Sequence, residues 1–175
     1  MSEFGGPVLF LDRSDINTDE IIPAKYLVEI KKEALKPHLL EDLKLPGFSP
    51  ASPAGRQAKV IVTRRNFGCG SSREHAVWVL EVNGIRAVIA ESFARIFRGN
   101  MFNCGLLAIE LPAAEIDAIF ALADRPAACA VDLAKKQLLF TCEGREIRRT
   151  AFALNAFDEA LVRAGGWVEF ADQRY

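Results

Sequence analysis

The chain has 175 residues, half of them hydrophobic, which is enough for one domain with a substantial core. Its 22 basic and 23 acidic residues give a net charge of -1 and form no run of like charge, which argues against a nucleic-acid-binding arm or a polybasic membrane anchor. No secretory signal pattern is present, and no apolar run approaches the roughly 20 residues of a membrane-spanning helix. We therefore expect a single domain over residues 1–175, located in the cytoplasm, with neither nucleic acid nor membrane as a partner.

The elements predicted in chain order alternate between short β-branched strands and helices. Strands are predicted at 8–11, 59–62, 85–90 and 106–111, and a strand pair at 130–133 and 136–149, where Glu143–Gly144 favours a hairpin turn. Helices are predicted at 31–43, 72–82, 92–98, 113–123 and 153–164. This alternation predicts an α/β fold with a mainly parallel core sheet flanked by helices, followed by a C-terminal hairpin and helix.

The four cysteines are scattered along the chain, at Cys69, Cys104, Cys129 and Cys142. They form no CxxC pair and no Cys/His cluster with metal-ligand spacing, so we expect no metal site built by this chain. We also expect reduced thiols, as in a reducing compartment.

The segment NFGCGSSREHAVW, residues 66–78, lies between a predicted strand and a predicted helix. Ser71 and Glu74 have the spacing of a capping box, which would account for the segment in structural terms alone. The spacing fits neither a dinucleotide fingerprint, nor a P-loop, nor a nucleophile elbow. A serine–histidine dyad with His75 is open on spacing, although a histidine one turn into an amphipathic helix more often forms a supporting hydrogen bond.

The same segment also has features of an anion site. Gly68 and Gly70 allow the backbone to approach a bound group and to turn its N–H donors toward it. The start of the following helix adds partial positive charge, and Arg73 offers a planar set of donors that matches a carboxylate. This combination predicts a carboxylate-binding site.

NFGCGSSREHA at 66–76, followed by GIRAVIAESFARIFRGNMFNCGLL at 84–107, resembles the swivelling domain of the aconitase superfamily, and above all the family of 3-isopropylmalate dehydratase small subunits. DINTDEIIPAKYL at 15–27 and AGGWVEF at 164–170 resemble the N-terminal loop and the C-terminus of that family. The resemblance implies a single aconitase-like swivelling β/β/α domain. It also implies a hydro-lyase subunit that interconverts 2-isopropylmalate and 3-isopropylmalate by dehydration and rehydration in leucine biosynthesis.

The resemblance further implies a partner and a cofactor. The partner is a large subunit, in a heterodimer or heterotetramer, and the substrate is a small hydroxy-dicarboxylate. A [4Fe–4S] cluster on the large subunit would act as the Lewis acid that accepts the leaving hydroxyl, and this chain would bind no cofactor.

Residue roles follow from the resemblance position by position. Ser71 matches the catalytic base, and Ser72, Arg73 and Gly70 match residues that bind the substrate carboxylate. A serine hydroxyl is a very weak acid, so the site has to stabilise its oxyanion, and backbone N–H groups and an arginine are suited to that role.

The segment at 15–29 is predicted to be a loop, and its part after Pro23 is predicted to determine specificity. Thr18 and Asp19 match a substrate-binding loop of the family, although an Asx-type turn explains them equally well. Lys25, Tyr26 and Val28 form the presumed specificity segment. Val28 is apolar where relatives acting on a third carboxylate carry arginine, which favours isopropylmalate over homoaconitate or citrate.

Two alternatives stay open at this point. An acidic residue follows Val28, so a smaller branched malate, as in methylmalate (citraconate) or dimethylmalate dehydratases, is also compatible with the sequence. A homoaconitase small subunit stays open as a related hydratase. A second class of function is a noncatalytic module that captures a carboxylate or phosphate.

Overall fold

The computed structural model describes residues 4–174 and contains one seven-stranded sheet. Its strands are β1 (Gly6–Leu11), β2 (Val60–Thr63), β3 (Ala87–Ala90), β4 (Leu107–Glu110), β5 (Ala127–Asp132), β6 (Gln137–Cys142) and β7 (Arg145–Ala151). The strand order is β4-β3-β2-β1-β5-β6-β7, with parallel pairing from β4 to β1 and antiparallel pairing from β1 to β7. The predicted α/β fold, with its parallel core sheet and C-terminal hairpin, is confirmed.

The helices flank this sheet and follow most of the predicted pattern. They are α1 (Thr18–Ile21), α2 (Pro53–Gln57), α3 (Glu74–Val82), α4 (Arg95–Asn103), α5 (Ala113–Phe120), α6 (Ala156–Ala164) and α7 (Trp167–Arg174). The helix predicted at 31–43 is wrong: a 3₁₀ helix covers only Lys32–His38. Pro37 lies inside it, lacks a backbone donor and is incompatible with a continuous α-helix. The short helices α1 and α2, and helix α7 after the Gly165–Gly166 pair, were not predicted.

Burial explains why the central parallel strands β2 and β3 consist of β-branched and small residues. All four residues of β2 and all four of β3 are buried, which requires cover on both faces of the sheet. In β5 and β6 the buried positions alternate with partly exposed ones. No helix within residues 4–174 combines the length and hydropathy needed to cross a membrane.

The three adjacent parallel strands β1, β2 and β3 end at the same edge of the sheet, so the segments that follow them meet there. The Gly68 N–H, after β2, donates to the carbonyl of Ile16, after β1, at 2.9 Å. The Phe67 N–H donates to the carbonyl of Ser92, after β3, at 3.1 Å. This edge therefore joins the 66–78 segment to the segments on either side of it.

Candidate active site

A cleft of about 550 Å³ opens at this edge of the sheet. It is lined by Thr18, Gly68, Gly70, Ser72, Arg73, Ala94, Arg95, Ile96 and Phe97. Thr18, Gly70, Ser72 and Arg73 are four of the predicted substrate-binding residues, and the structure brings them together although Thr18 is more than 50 positions away from the others. The remaining lining comes largely from the first turn of α4.

The glycine turn has the backbone geometry that the motif predicts. Gly68 has φ +82° and Gly70 has φ +92°, a region that favours glycine. A Cβ on Gly68 would lie 2.2 Å from the ring of Phe97. The absence of a side chain at this position thus allows the first turn of α4 to pack directly against the turn and form the opposite wall of the cleft.

Helix α1 holds the motif from the other side. The N–H of Thr18 donates to the carbonyl of Cys69 and its Oγ1 donates to the carbonyl of Ser71, both at 2.9 Å. Thr18 is buried, so these two bonds satisfy donors that would otherwise be costly to desolvate. The proposed Asx-type turn is instead the start of a helix, capped reciprocally by Asn17 and Glu20.

The predicted capping box between Ser71 and Glu74 is wrong. Helix α3 begins at Glu74 with Arg73 as its N-cap residue, and no side chain caps it. Because Thr18 holds the carbonyl of Ser71, the chain stays extended through Arg73, with φ -142° and ψ 123°, before it turns into the helix. The Ser71 side chain is exposed, between two residues that line the cleft, and does not itself line it.

Arg73 and Asp19 form an ion pair with each other. The Arg73 side chain is mostly buried, whereas that of Asp19 is largely exposed. A guanidinium has five N–H donors, so Arg73 can also bind a ligand carboxylate. The ion pair thus orients Arg73 in the cleft and leaves it donors for a ligand.

A second ion pair, between Arg13 and Glu20, supports α1. Burial by itself would raise the pKa of Glu20, but hydrogen bonds from Arg13 and from the backbone N–H of Asn17 outweigh it and lower the pKa below its ordinary value. The carboxylate that caps α1 is therefore held in its charged form.

The presumed specificity segment lies outside this cleft. Lys25 and Tyr26 belong to a short 3₁₀ helix, and the Tyr26 ring stacks on His38 with ring centroids 3.7 Å apart. The side chain of Val28 is 82% exposed. None of the three contributes to the lining of the cleft.

His75 supports the scaffold of the site. Its Nε2 lies 2.9 Å from the carbonyl oxygen of Glu29, and because a carbonyl only accepts, the Nε2–H donates. The ring also packs against Trp78. This arrangement is the supporting hydrogen bond anticipated for His75, and it ties α3 to the end of the specificity segment.

The four cysteines are unpaired. Burial, and secondarily the charge of Asp15, raises the pKa of Cys69, so the thiol in the glycine turn stays protonated at neutral pH. In the part of the chain that the structure describes, no three His, Cys, Asp or Glu side chains are grouped so that they could hold a metal ion.

Sequence reasoning missed the part of the cleft formed by the start of α4, and Arg95 is its one charged residue. It is the first residue of α4 and is exposed. The signal that could have identified it is topological, since it follows β3 and the carboxyl ends of neighbouring parallel strands share one edge. The match of SFARIF to a family segment had suggested no role for it.

Comparison with known proteins places the chain in a family. The aconitase C-terminal domain family matches residues 6–114. The 3-isopropylmalate dehydratase small subunit of Dechloromonas aromatica is 45% identical over 131 residues, 66% of this chain and 62% of the relative. That of Polaromonas naphthalenivorans is 37% identical over 178 residues, 88% of this chain and 82% of the relative.

A solved structure supports the same family assignment. A crystal structure of a 3-isopropylmalate dehydratase from Methanocaldococcus jannaschii superposes with a TM-score of 0.76 and 31% identity, covering 98% of this chain and 94% of that one. The chain spans less than two thirds of the length of some relatives, including 62% for Dechloromonas aromatica and 63% for Aromatoleum aromaticum. The chain belongs to the family of 3-isopropylmalate dehydratase small subunits, which carry the aconitase C-terminal domain.

Proposed function

We propose that this chain is the small subunit of a 3-isopropylmalate dehydratase, a hydro-lyase that interconverts 2-isopropylmalate and 3-isopropylmalate in leucine biosynthesis. The observation that carries the proposal is the cleft in which Thr18, Gly70, Ser72 and Arg73 converge. A guanidinium, a hydroxyl and a glycine turn in one cleft are suited to a carboxylate. Four unpaired thiols are compatible with the reducing cytoplasm, where we place the protein.

In this proposal Ser71 acts as the base. As an alkoxide it would take the proton from the carbon next to a substrate carboxylate, becoming the neutral hydroxyl, and it would later return that same proton to the substrate and become the alkoxide again. The hydrogen bond from Thr18 Oγ1 holds the carbonyl of Ser71, and so the stretch of backbone that carries the hydroxyl. Arg73 would bind the adjacent carboxylate and, with the helix α3 N-terminus, stabilise the oxyanion.

We further propose that a [4Fe–4S] cluster is held by the cysteines of a large subunit. When bound there, the cluster supplies a Lewis acid for the substrate hydroxyl. This chain contributes the carboxylate-binding groups and the base, and the two subunits would close the substrate between them. The exposure of Ser71 and of the open cleft supports an arrangement in which a second chain completes the site.

The substrate we favour is isopropylmalate. Val28 is apolar and 82% exposed, so it is available to contact an alkyl group that is held between two subunits. A third substrate carboxylate beside it would lose hydration without gaining a partner. Equal kcat/KM for homoaconitate and isopropylmalate, or a preference for methylmalate, would assign the chain to a related hydratase instead.

The test is anaerobic co-expression with the large subunit, followed by an assay with isopropylmalate, homoaconitate and methylmalate. The complex should turn over isopropylmalate, and Ser71→Ala should lower kcat by about 10²- to 10⁴-fold, the usual contribution of a general base. Ser49→Ala is the matched control, because Ser49 is an exposed serine outside the cleft. It should leave kcat unchanged.

Two results would contradict the proposal. A correctly assembled, cluster-loaded complex that turns over none of the three substrates would show that the chain is not a dehydratase subunit. Binding of dicarboxylates by the chain alone, unchanged in Ser71→Ala and without any turnover in the complex, would instead support the noncatalytic carboxylate-binding module.

A further inference from the structure

The two arginines of the cleft differ in their surroundings. Arg73 is paired with Asp19. The side chain of Arg95 forms neither an ion pair nor a hydrogen bond with any residue between 4 and 174, although it lines the same cleft. The cleft thus contains one guanidinium with its own counter-ion and one without.

We propose that Arg95 binds the second carboxylate of the substrate, opposite the carboxylate that Arg73 binds. The proposal rests on the dicarboxylate chemistry of the proposed function. A dianion held by Arg73 alone would leave its other carboxylate desolvated without a partner when the site closes, which is unfavourable. Arg95 offers five N–H donors in a fixed plane, suited to a bidentate bond with that carboxylate.

The backbone at Arg95 is fixed relative to the glycine turn, as a substrate-binding residue requires. The N–H of Ala94, just before it, donates to the carbonyl of Phe67 at 3.0 Å. Phe97, two positions later, packs against Gly68 where a Cβ would clash. Contacts on both sides of Arg95 therefore join the first turn of α4 to the motif that carries Arg73.

The dimensions and the charge of the cleft agree with this assignment. Its volume of about 550 Å³ lies within the usual range for small-molecule sites. Among the residues that line it, Arg73 and Arg95 carry the only charged side chains, and both are basic. Arg95 begins α4 and Arg73 directly precedes α3, so the two guanidinium groups reach the same cleft from different segments of the chain.

The experiment compares Arg95→Gln and Arg95→Lys with the wild-type complex of small and large subunits. Arg56→Gln is the matched control, because Arg56 is an exposed arginine on α2, outside the cleft, and has no ion pair with a described residue. Loss of a hydrogen bond to a charged group should raise the KM for isopropylmalate about 10- to 100-fold in Arg95→Gln. Arg95→Lys should retain part of the affinity, and Arg56→Gln should match the wild type.

A binding measurement that does not depend on turnover separates substrate recognition from structure. Calorimetry on the complex compares isopropylsuccinate, a dicarboxylate without the hydroxyl, with 4-methylpentanoate, which lacks one carboxylate. The wild type should bind the dicarboxylate at least about 10-fold more tightly, as expected for one additional charged hydrogen bond. Arg95→Gln should reduce this preference several-fold while leaving the affinity for the monocarboxylate nearly unchanged.

Two results would overturn the role of Arg95: an unchanged preference for the dicarboxylate, or an equal loss of affinity for both ligands. An unchanged preference accompanied by weaker subunit assembly in sedimentation would assign Arg95 to the subunit interface. A wild-type complex that binds isopropylsuccinate but does not isomerise isopropylmalate would contradict the proposed function alone, because the calorimetric comparison would still decide on Arg95.

Discussion

The parallel half of the sheet, β1 to β4, carries the candidate cleft at its edge, whereas the antiparallel half, β5 to β7, contributes no residue to it. All residues that line the candidate cleft belong to segments that follow or join the parallel strands. The match to the aconitase C-terminal domain family, residues 6–114, covers the parallel strands and ends before β5. Parallel order brings several strand ends to one edge, and polar groups at that edge form a site that no single segment contains.

The two halves also differ in how they are stabilised. The strands of the parallel half are apolar on both faces, so their polar residues are confined to the strand ends. The outer strand β7 has no fully buried residue, and two of its arginines form ion pairs. These are Arg148 with Glu115 and Arg149 with Glu146. We expect substitutions in the two halves to have different consequences for the free energy of unfolding.

The largest expected difference comes from neighbouring leucines. Leu106, just before β4, and Leu107, its first residue, are both fully buried, whereas in β6 Leu138 is fully buried and Leu139 only partly. Leu→Ala at each of the first three should lower the free energy of unfolding by about 2–5 kcal/mol. At Leu139 the loss should be about 1 kcal/mol, because less apolar surface leaves water there. Urea unfolding of the four variants measures this.

If Leu138→Ala and Leu139→Ala lowered the free energy of unfolding equally, the antiparallel half would be covered on both faces. The two halves of the sheet would then not differ in burial. Unchanged slopes of the unfolding transitions are the control, because a changed slope indicates an altered unfolded state.

A smaller difference is expected from two glycines with the same backbone conformation. Gly68 has φ +82° and faces the Phe97 ring. Gly144, in the β6–β7 turn, has φ +80°, and a Cβ added there would meet no atom of the described residues within 4 Å. Alanine should incur the left-handed conformational cost at both positions. Gly68→Ala adds overpacking and should lose about 1–3 kcal/mol more than Gly144→Ala.

Urea midpoints of the two glycine variants give this difference directly, and Gly144→Ala is the control for the conformational part. Gly68→Ala should also disturb the cleft, because it displaces the first turn of α4, while Gly144→Ala should not affect activity of the assembled enzyme. Equal midpoints would mean that Phe97 moves aside without cost.

Much of the fold could be predicted from the sequence because its signals are local. The runs 59–62 and 85–90 are β-branched and apolar, and they form the buried strands β2 and β3 with small shifts in boundaries. The helix predicted over 31–43 was wrong because apolar spacing outweighed Pro37 in the prediction. Helix α7 has no fully buried residue and only Phe170 and Ala171 are partly buried, so its apolar signal in the sequence is weak.

Several residues of the site could be predicted from the sequence, but the tertiary contacts that join its segments could not. The 66–78 segment identified Gly70, Ser72 and Arg73 as cleft residues. The capping box was wrong because a tertiary contact, the hydrogen bond from Thr18 to the carbonyl of Ser71, holds the backbone out of the helix. Arg95 was missed for a similar reason, since strand order, which a single sequence does not state, brings it to the same cleft as Arg73.

The smallest expected effect concerns the ion pair between α5 and β7. Two hydrogen bonds of 2.8 Å join Arg148 to Glu115, and they lower the pKa of the Glu115 carboxyl below its ordinary value. A lowered pKa in the folded state stabilises the protein above the ordinary glutamate pKa, near 4, and this stabilisation is lost as the pH falls through the folded-state pKa. Since solvent screens the partly exposed pair, Glu115→Gln should cost about 0.5–1 kcal/mol at pH 7.

The measurement is the urea midpoint of Glu115→Gln and wild type from pH 7 downward. The two curves should converge at acidic pH, because protonated Glu115 no longer pairs with Arg148 as an ion. Glu146→Gln is the control: its partner Arg149 lies on the same exposed strand, so its loss should leave the midpoint unchanged. A difference between Glu115→Gln and wild type that persists to the lowest pH would assign the role of Glu115 to packing of α5 on β7, and not to its charge.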